Sequence, residues 1–368
     1  MSEERLLKLF LDLVRIDSPS RFEAAVAKRC QAELESLGFS VHFDNALDKT
    51  ESNTGNLIAY LPGTRDGEIV LSSHMDTVNP GCGVEPLIEN GIIRSAGDTV
   101  LGGDDKAGIA SILEGIRRVL ESGDAYPSMT VIFSTCEELS LLGARNLEAG
   151  AVPQGAPCYV FDADGHPGTI IYKAPCHCTL QATFHGRASH AGVAPEKGVS
   201  AIEMASKAIS AMRLGRLDDE TTANIGVIEG GRETNVVADL CVIKGECRSF
   251  NEEKARQCRE AMSEACLGAA ESFGGTVELA WNLDYHAISY EKSDPFIQKI
   301  MSAVESIGLE PVLASSGGGA DANVYCSHGL LAITLGIGMT NYHSVDEYIS
   351  VKDLADSASL VEALIRLS

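Results

Sequence analysis

Two hydrophobic periods alternate along the first half of the chain. Leu6, Leu7, Phe10, Leu11 and Val14 recur at helical spacing, as do Ile109, Ile112, Leu113, Ile116 and Leu120. Between and after them run short apolar stretches without polar alternation: EIVLSS (68–73), MTVIFST (129–135) and CYVFD (158–162). Such runs read as strands buried on both faces. Strand and helix alternating, with connections long enough for a helix, predict an α/β domain: a mainly parallel sheet with flanking helices.

From about His177 the pattern changes. CTLQATFHG alternates, AIEMASKAISAM is helical, TTANIGVIEGG and LCVIKGECRSF read as strands, and EEKARQCREAMSEACLGAAES is helical again before a last strand, GTVELAWNL. This β-α-β-β-α-β order is the split βαβ pattern of a small α+β domain. Helical and buried-strand segments return after Ala287, in FIQKIMSAVESIG and LLAITLGIG. The expected organisation is therefore a larger domain of residues 1–176 and 288–368, interrupted by a lid-like insertion of 177–287.

The 368 residues are 45% hydrophobic and 22% charged, enough apolar mass for a sizeable core. Net charge is −23, a field that repels a phosphate backbone and argues against nucleic-acid binding. The 11 cysteines are odd in number and scattered, as in a cytoplasmic protein with reduced thiols. The opening MSEERLLKLFLDLVRI has charges inside its apolar stretch and is expected to be an amphipathic helix rather than a signal peptide. No run of 18 apolar residues calls for a membrane.

Candidate chemistry gathers after the strands of the larger domain. SSHMD follows one strand and GGDDKAG (102–108) opens a helix. STCEELSLLGA, FDADG and NYHSVDEYI each follow a further strand. Ligands of open α/β sheets bind beyond the carboxyl ends of strands, so these five segments are expected to converge. His74 and Asp76, two positions apart on an extended chain, face the same way. Mixed imidazole and carboxylate donors suit zinc, with manganese or cobalt possible. The density of carboxylates argues for two ions, because packed anions repel one another unless cations neutralise them. Taken singly, each feature has a structural explanation. A strand-end His packs in a core, Glu137–Glu138 could open a helix, and Asp104–Asp105 could cap one.

Taken in order, HMD, GGDDKAG, CEELSLLGA, FDADG, GRASHAGVAPEKG and YHSVDEYI resemble the motif series of the two-zinc exopeptidase family. That family includes carboxypeptidase G, the aminoacylases, succinyl-diaminopimelate desuccinylase and peptidase T. LGGDDKAGIA with EELSLLGA is most similar to the peptidase T branch, the tripeptide aminopeptidases. The resemblance implies that His74 binds one zinc and that Asp76 orients that His. It implies that Asp104 bridges the two zinc ions, that Glu137 is the general base and that Glu138 is a ligand. Asp162 would hold one metal and His343 the other, with Asp164 the rival of Asp162 at even spacing. One glutamate of the pair is thus committed to a cation while its neighbour stays free to move a proton.

His190, in GRASHAG, is implied as the oxyanion donor, reaching across from the partner subunit of a homodimer built through the inserted domain. Asn235 and Arg248 resemble positions that hold the substrate's terminal groups, and an Arg fork pairs well with a carboxylate. The run Ser315–Asn323, SSGGGADAN, is too glycine-rich to open a helix by propensity; Gly318 marks it as a place where backbone approaches a peptide end. His42, His166, His185, His286 and His328 show no partner spacing. Cys176-His177-Cys178 lacks the second pair of a structural zinc site and is read as packing.

The function so implied is a zinc-dependent exopeptidase that takes residues from short peptides, from the N-terminus. An N-acyl amino-acid hydrolase or carboxypeptidase of the same family is the alternative. A non-catalytic, metal-stabilised binding protein is a third reading, which a free base beside a ligand Glu speaks against.

Overall fold

Four neighbouring strands of the larger sheet run parallel: Ser128–Ser134, Glu68–His74, Pro157–Asp164 and Leu331–Met339, in that order. These are the segments whose sequences are apolar without alternation, and all four are buried along most of their length. The computed structural model describes residues 2–148 and 150–368. Around the parallel centre the sheet is mixed. Leu57–Leu61 pairs antiparallel with Ser128–Ser134, and Ser40–Phe43 antiparallel with Leu57–Leu61. On the other side Thr169–Ala174 lies antiparallel to Leu331–Met339 and parallel to Val312–Ser315.

Helices cover this sheet because their apolar residues fall on one face. Ser2–Val14 buries Leu6, Leu9, Phe10, Leu13 and Val14, and Gly103–Ser122 buries Ile109, Ile112, Leu113 and Ile116. The last helix, Val351–Leu367, joins the same core through Leu354, Leu360, Val361 and Leu364. Gly115 permits its close approach to Gly103–Ser122: a Cβ there would stand 2.5 Å from Val361 Cγ1.

The chain divides into two compact units, Met1–Lys173 with Tyr290–Ser316 and Ala320–Ser368, and Ala174–Ser289 with Gly317–Gly319. The sequence reading set the breaks three residues further on and two residues earlier, at 176/177 and 287/288. The second unit is an antiparallel sheet in the order Gly215–Arg216, Thr221–Gly230, Leu240–Ser249, Cys176–His185, Thr276–Tyr285. Helices Ala201–Ala211 and Glu252–Phe273 pack on one face, against Cys178, Leu180, Ala182 and Phe184 from alternate positions of one strand. His177 and the other residues of opposite parity lie on the second face.

One expectation fails. Helix Asp321–Ser327 begins inside the glycine-rich run whose propensity argues against a helix start. The three glycines stay outside it: Ala320 is the N-cap, its N–H donates to Asn323 Oδ1 at 3.2 Å, and propensity is paid only by residues within the helix. Among the described residues no helix is long and apolar enough to cross a membrane.

Candidate metal centre

Parallel strands end on the same side, and here four ends deliver the site. His74 is the last residue of Glu68–His74 and is paired in register with Ser134, three residues before Glu137. Asp162 lies near the end of Pro157–Asp164, and His343 follows Leu331–Met339. Gly102, at φ +72°, turns the chain into the helix that carries Asp104 and Asp105; both depart from helical geometry, which frees their carboxylates from the helix flank.

Asp104 stands between two imidazoles. Its Oδ1 lies 2.9 Å from His74 Nε2 and its Oδ2 lies 3.1 Å from His343 Nε2. Asp162 Oδ1 is 3.4 Å from His74 Nε2, and Glu138 Oε1 is 2.8 Å from His343 Nε2. Two groups of side chains are close enough to share an ion: His74, Asp104 and Glu138, and His74, Asp105 and Asp162. Asp105 is already engaged by Ser73 Oγ, His74 N–H (3.2 Å) and Gly108 N–H (3.2 Å). Asp164, the rival of Asp162, is exposed.

Asp76 differs from expectation in how it works. Its main-chain carbonyl, not its carboxylate, is the nearer partner of His74 Nδ1, at 2.9 Å against 3.5 Å. A carbonyl only accepts, so Nδ1 carries hydrogen and Nε2 is the atom turned to the carboxylates. The Asp76 carboxylate accepts instead from the Glu137 N–H (2.9 Å), the Glu138 N–H (3.2 Å) and Ser20 Oγ (2.7 Å). Glu347 does the same for Asp104, taking its N–H at 2.9 Å and that of Gly102 at 2.8 Å.

Charge in the centre is out of balance. Burial first, and then the Asp162 charge, push Glu137 and Asp105 well above the ordinary carboxylate range. Burial likewise raises Glu138, and lifts Asp162 to about 7 and Asp321 to about 6. Burial works against Asp104 too, but hydrogen bonds from His343 and His74 hold it well below its usual value. Hydrogen bonds to Asp104 and Glu138 raise His343 to about 10; His74 is raised in spite of burial by Asp162 and Asp104. Lys106, two residues past Asp104, is fully buried and donates its ammonium to the Ile16 carbonyl at 2.6 Å. Oxygen and imidazole donors in this excess of negative charge fit divalent cations.

The remaining candidates fall in the second unit. His190 is exposed beside Asn235, whose carbonyl accepts from Ala191 N–H at 2.9 Å. Arg248 donates to Glu246 at 3.1 Å, and Gly318 belongs to the segment Gly317–Gly319, where Gly319 N–H donates to Tyr285 Oη at 3.1 Å. His177 is more than packing: Nε2 lies 2.8 Å from Glu246 and Nδ1 lies 3.2 Å from Asp284.

Three residues escaped the sequence reading. Glu347 sits inside YHSVDEYI, four positions past His343, where a buried acid could have been suspected. Asp321, in the glycine-rich run, is buried and bonded to Ser134. Glu23 is buried too and carries no local signal at all.

Comparison with known proteins gives the family. The model of Peptidase family M28 matches residues 56–165, and the M20 model of the Peptidase dimerisation domain matches 176–272. The solved structure of aminopeptidase PepT from Bacillus cereus is 42% identical, covers 99% of this chain and 98% of that one, and superposes with a TM-score of 0.92. A tripeptidase from Staphylococcus aureus is 33% identical over 99% of this chain and 98% of that one, with a TM-score of 0.93. Peptidase T of Clostridium perfringens is 24% identical over 99% of this chain and 89% of its own length. A non-catalytic binding protein is thereby set aside, since the chain is a peptidase. It belongs to the M20 peptidase family, in the peptidase T branch.

Proposed function

We propose that the chain is a zinc-dependent aminopeptidase of short peptides, tripeptides foremost. The observation that carries this reading is Asp104 between the two imidazoles of His74 and His343, with Asp162 beside one and Glu138 beside the other. His74 with Asp162, and His343 with Glu138, would each hold one zinc, with Asp104 shared and manganese or cobalt as possible replacements. Ions bound there would polarise the scissile carbonyl and acidify the attacking water.

Glu137 is left uncommitted to a ligand role. Burial raises its carboxyl, and so placed it takes the proton of the attacking water and returns it to the leaving amine. Asp76 holds the backbone of both glutamates, so that base and ligand keep a fixed offset. His190, supplied by the second copy of a homodimer, donates to the developing oxyanion. Arg248 pairs with the substrate carboxylate, while Asn235 and the backbone at Gly318 hold the remaining peptide polar groups.

Two observations support the homodimer. The dimerisation model covers most of the second unit. Beyond its short pairing with Gly215–Arg216, strand Thr221–Gly230 also leaves an exposed edge with Val227 and Ile228 outward. All 11 cysteines are free, which suits a reducing cytoplasm.

Mass-spectrometric product analysis of zinc- or manganese-loaded protein tests the reading, with one tripeptide offered free, N-acetylated and C-amidated. Release of the first residue from the free and amidated forms alone is expected. Cleavage of the acetylated form would move the protein to the acylase or carboxypeptidase activities of the family.

A further inference from the structure

The turn that presents Glu137 is gripped on three successive peptide N–H groups, each by a buried carboxylate. Asp76 takes those of Glu137 and Glu138, and Glu23 Oε1 takes that of Cys136 at 3.0 Å. Cys136 needs the grip. Its φ of +52° is left-handed, a region in which a side chain with Cβ is strained, and no glycine stands there to relieve it.

Glu23 heads a helix but does not serve it. It occupies the N-cap position of helix Ala24–Ser36, yet its carboxylate makes no capping bond to that helix. The carboxylate turns away and accepts from the Cys136 N–H, from Cys136 Sγ at 3.3 Å and from Arg21 N–H at 2.9 Å. Its other oxygen accepts from Ser52 Oγ at 2.5 Å, and Ser52 is tied in turn to Thr135 Oγ1 at 3.0 Å. Glu23 is fully buried, as are Cys136 and Thr135, so none of these bonds is diluted by water.

We propose that Glu23 is a positioning residue of the hydrolysis: it locks Cys136 in its left-handed conformation and so aims the carboxylate of Glu137. The inference rests on Glu137 being the base, and the test separates the two. Without the lock, Cys136 relaxes toward negative φ and the next residue swings with it. Glu138 stays tied to Asp76 and the other four proposed ligands lie on other elements, so kcat falls far more than KM or bound metal changes. A displacement of the base by about 1 Å costs about 100-fold in rate.

Glu23→Ala, Glu137→Ala and the double variant Glu23→Ala/Cys136→Gly are compared for kcat, KM and metal stoichiometry. Glycine visits positive φ without strain, so the double variant is expected to recover several-fold of what Glu23→Ala loses. Glu23→Asp, which keeps the charge but stops one methylene short of the turn, is read in the same way should the alanine variant not fold. Near-normal kcat in Glu23→Ala beside a collapsed Glu137→Ala overturns the positioning role and leaves the base intact. A loss that Cys136→Gly does not relieve also overturns it, since Glu23 would then merely support the fold. Activity in Glu137→Ala removes the base itself, and the proposal with it.

Discussion

His177 in the second unit and His74 in the first are both buried with carboxylates at hand, and Glu246 beside the first responds in the opposite way to Asp162 beside the second. Around His177, Glu246 is shared between the imidazole at 2.8 Å and Arg248 at 3.1 Å, and the hydrogen bond from His177, then that from Arg248, draw its pKa down to about 2. Around His74, burial and mutual repulsion push Asp162 up to about 7 and carry Glu137 and Asp105 well above their usual range. In the first arrangement a guanidinium and an imidazole both reach Glu246. The second holds more negative charge than its two histidines can balance, and folding gains nothing from such a cluster unless a ligand answers it. A surplus of buried carboxylates marks a site for cations, whereas a matched set marks a structural ion pair.

The contrast breaks most visibly at Glu137, a member of the surplus with no ligand partner. Glu137→Ala should lower kcat by about 100- to 10,000-fold, the range of general acid–base catalysis, and leave metal stoichiometry at the wild-type value. Loss of metal in this variant would show that Glu137 is a ligand and that the surplus has no free member.

Metal removal comes next in size. An ion that binds only the folded protein stabilises it by about 2.7 kcal/mol at about 100 times its dissociation constant. A chelator should therefore lower the thermal midpoint of the wild type, and Asp104→Ala should abolish the difference. Glu246→Gln, in the matched cluster, should leave the chelator effect intact. An equal loss in both variants would put the two clusters on the same footing and end the distinction.

How much of this can be read from residues alone follows from where the forces act. That the segments holding His74, Asp104–Asp105, Glu137–Glu138, Asp162 and His343 converge was legible because each follows an apolar strand or opens a helix, and parallel strands end on one side; which member of each pair takes which role rested on the family resemblance. Asp162 and Asp164, at even spacing, could not be told apart until the fold buried one and exposed the other. Asp76 was legible as a partner of His74, but not as the clamp on two backbone N–H groups. Glu23 was invisible, since its bond to Cys136 spans 113 positions and has no periodicity. The helix at Asp321 was missed because three glycines were counted against it though they lie just outside. Strand ends follow from local pattern; the carboxylates that hold a turn follow only from tertiary packing.

Acidity sharpens the comparison further. A carboxyl whose folded pKa lies above its unfolded value keeps its proton in the native state while the unfolded chain has lost it. Stability then falls as pH rises between the two values. For Asp162, raised to about 7, metal-free protein should lose stability between about pH 4 and 7, with a slope on the order of 1 kcal/mol per pH unit. His343, raised to about 10, extends the decline, because the stability it gives when protonated is lost as pH rises from about 6.5 toward that value. Chemical denaturation of chelated protein at a series of pH values measures the slope. Asp162→Asn should flatten its acid half, and saturating zinc should remove it, since a bound cation favours the ionised form.

The smallest effect is expected in the matched cluster, with the opposite sign. Glu246 is held near 2, so the stability it contributes is present above its ordinary value of about 4.5 and is lost as pH falls toward 2. Its side chain is 34% exposed, and solvent screening limits the contribution to about 1 kcal/mol or less. Glu246→Gln should therefore weaken only the acid limb of the unfolding profile and leave the decline between pH 4 and 7 in place. If the same substitution also erased that decline, the excess charge of the metal centre would not be its source. His177 and His74 would then differ in their neighbours without differing in what those neighbours do.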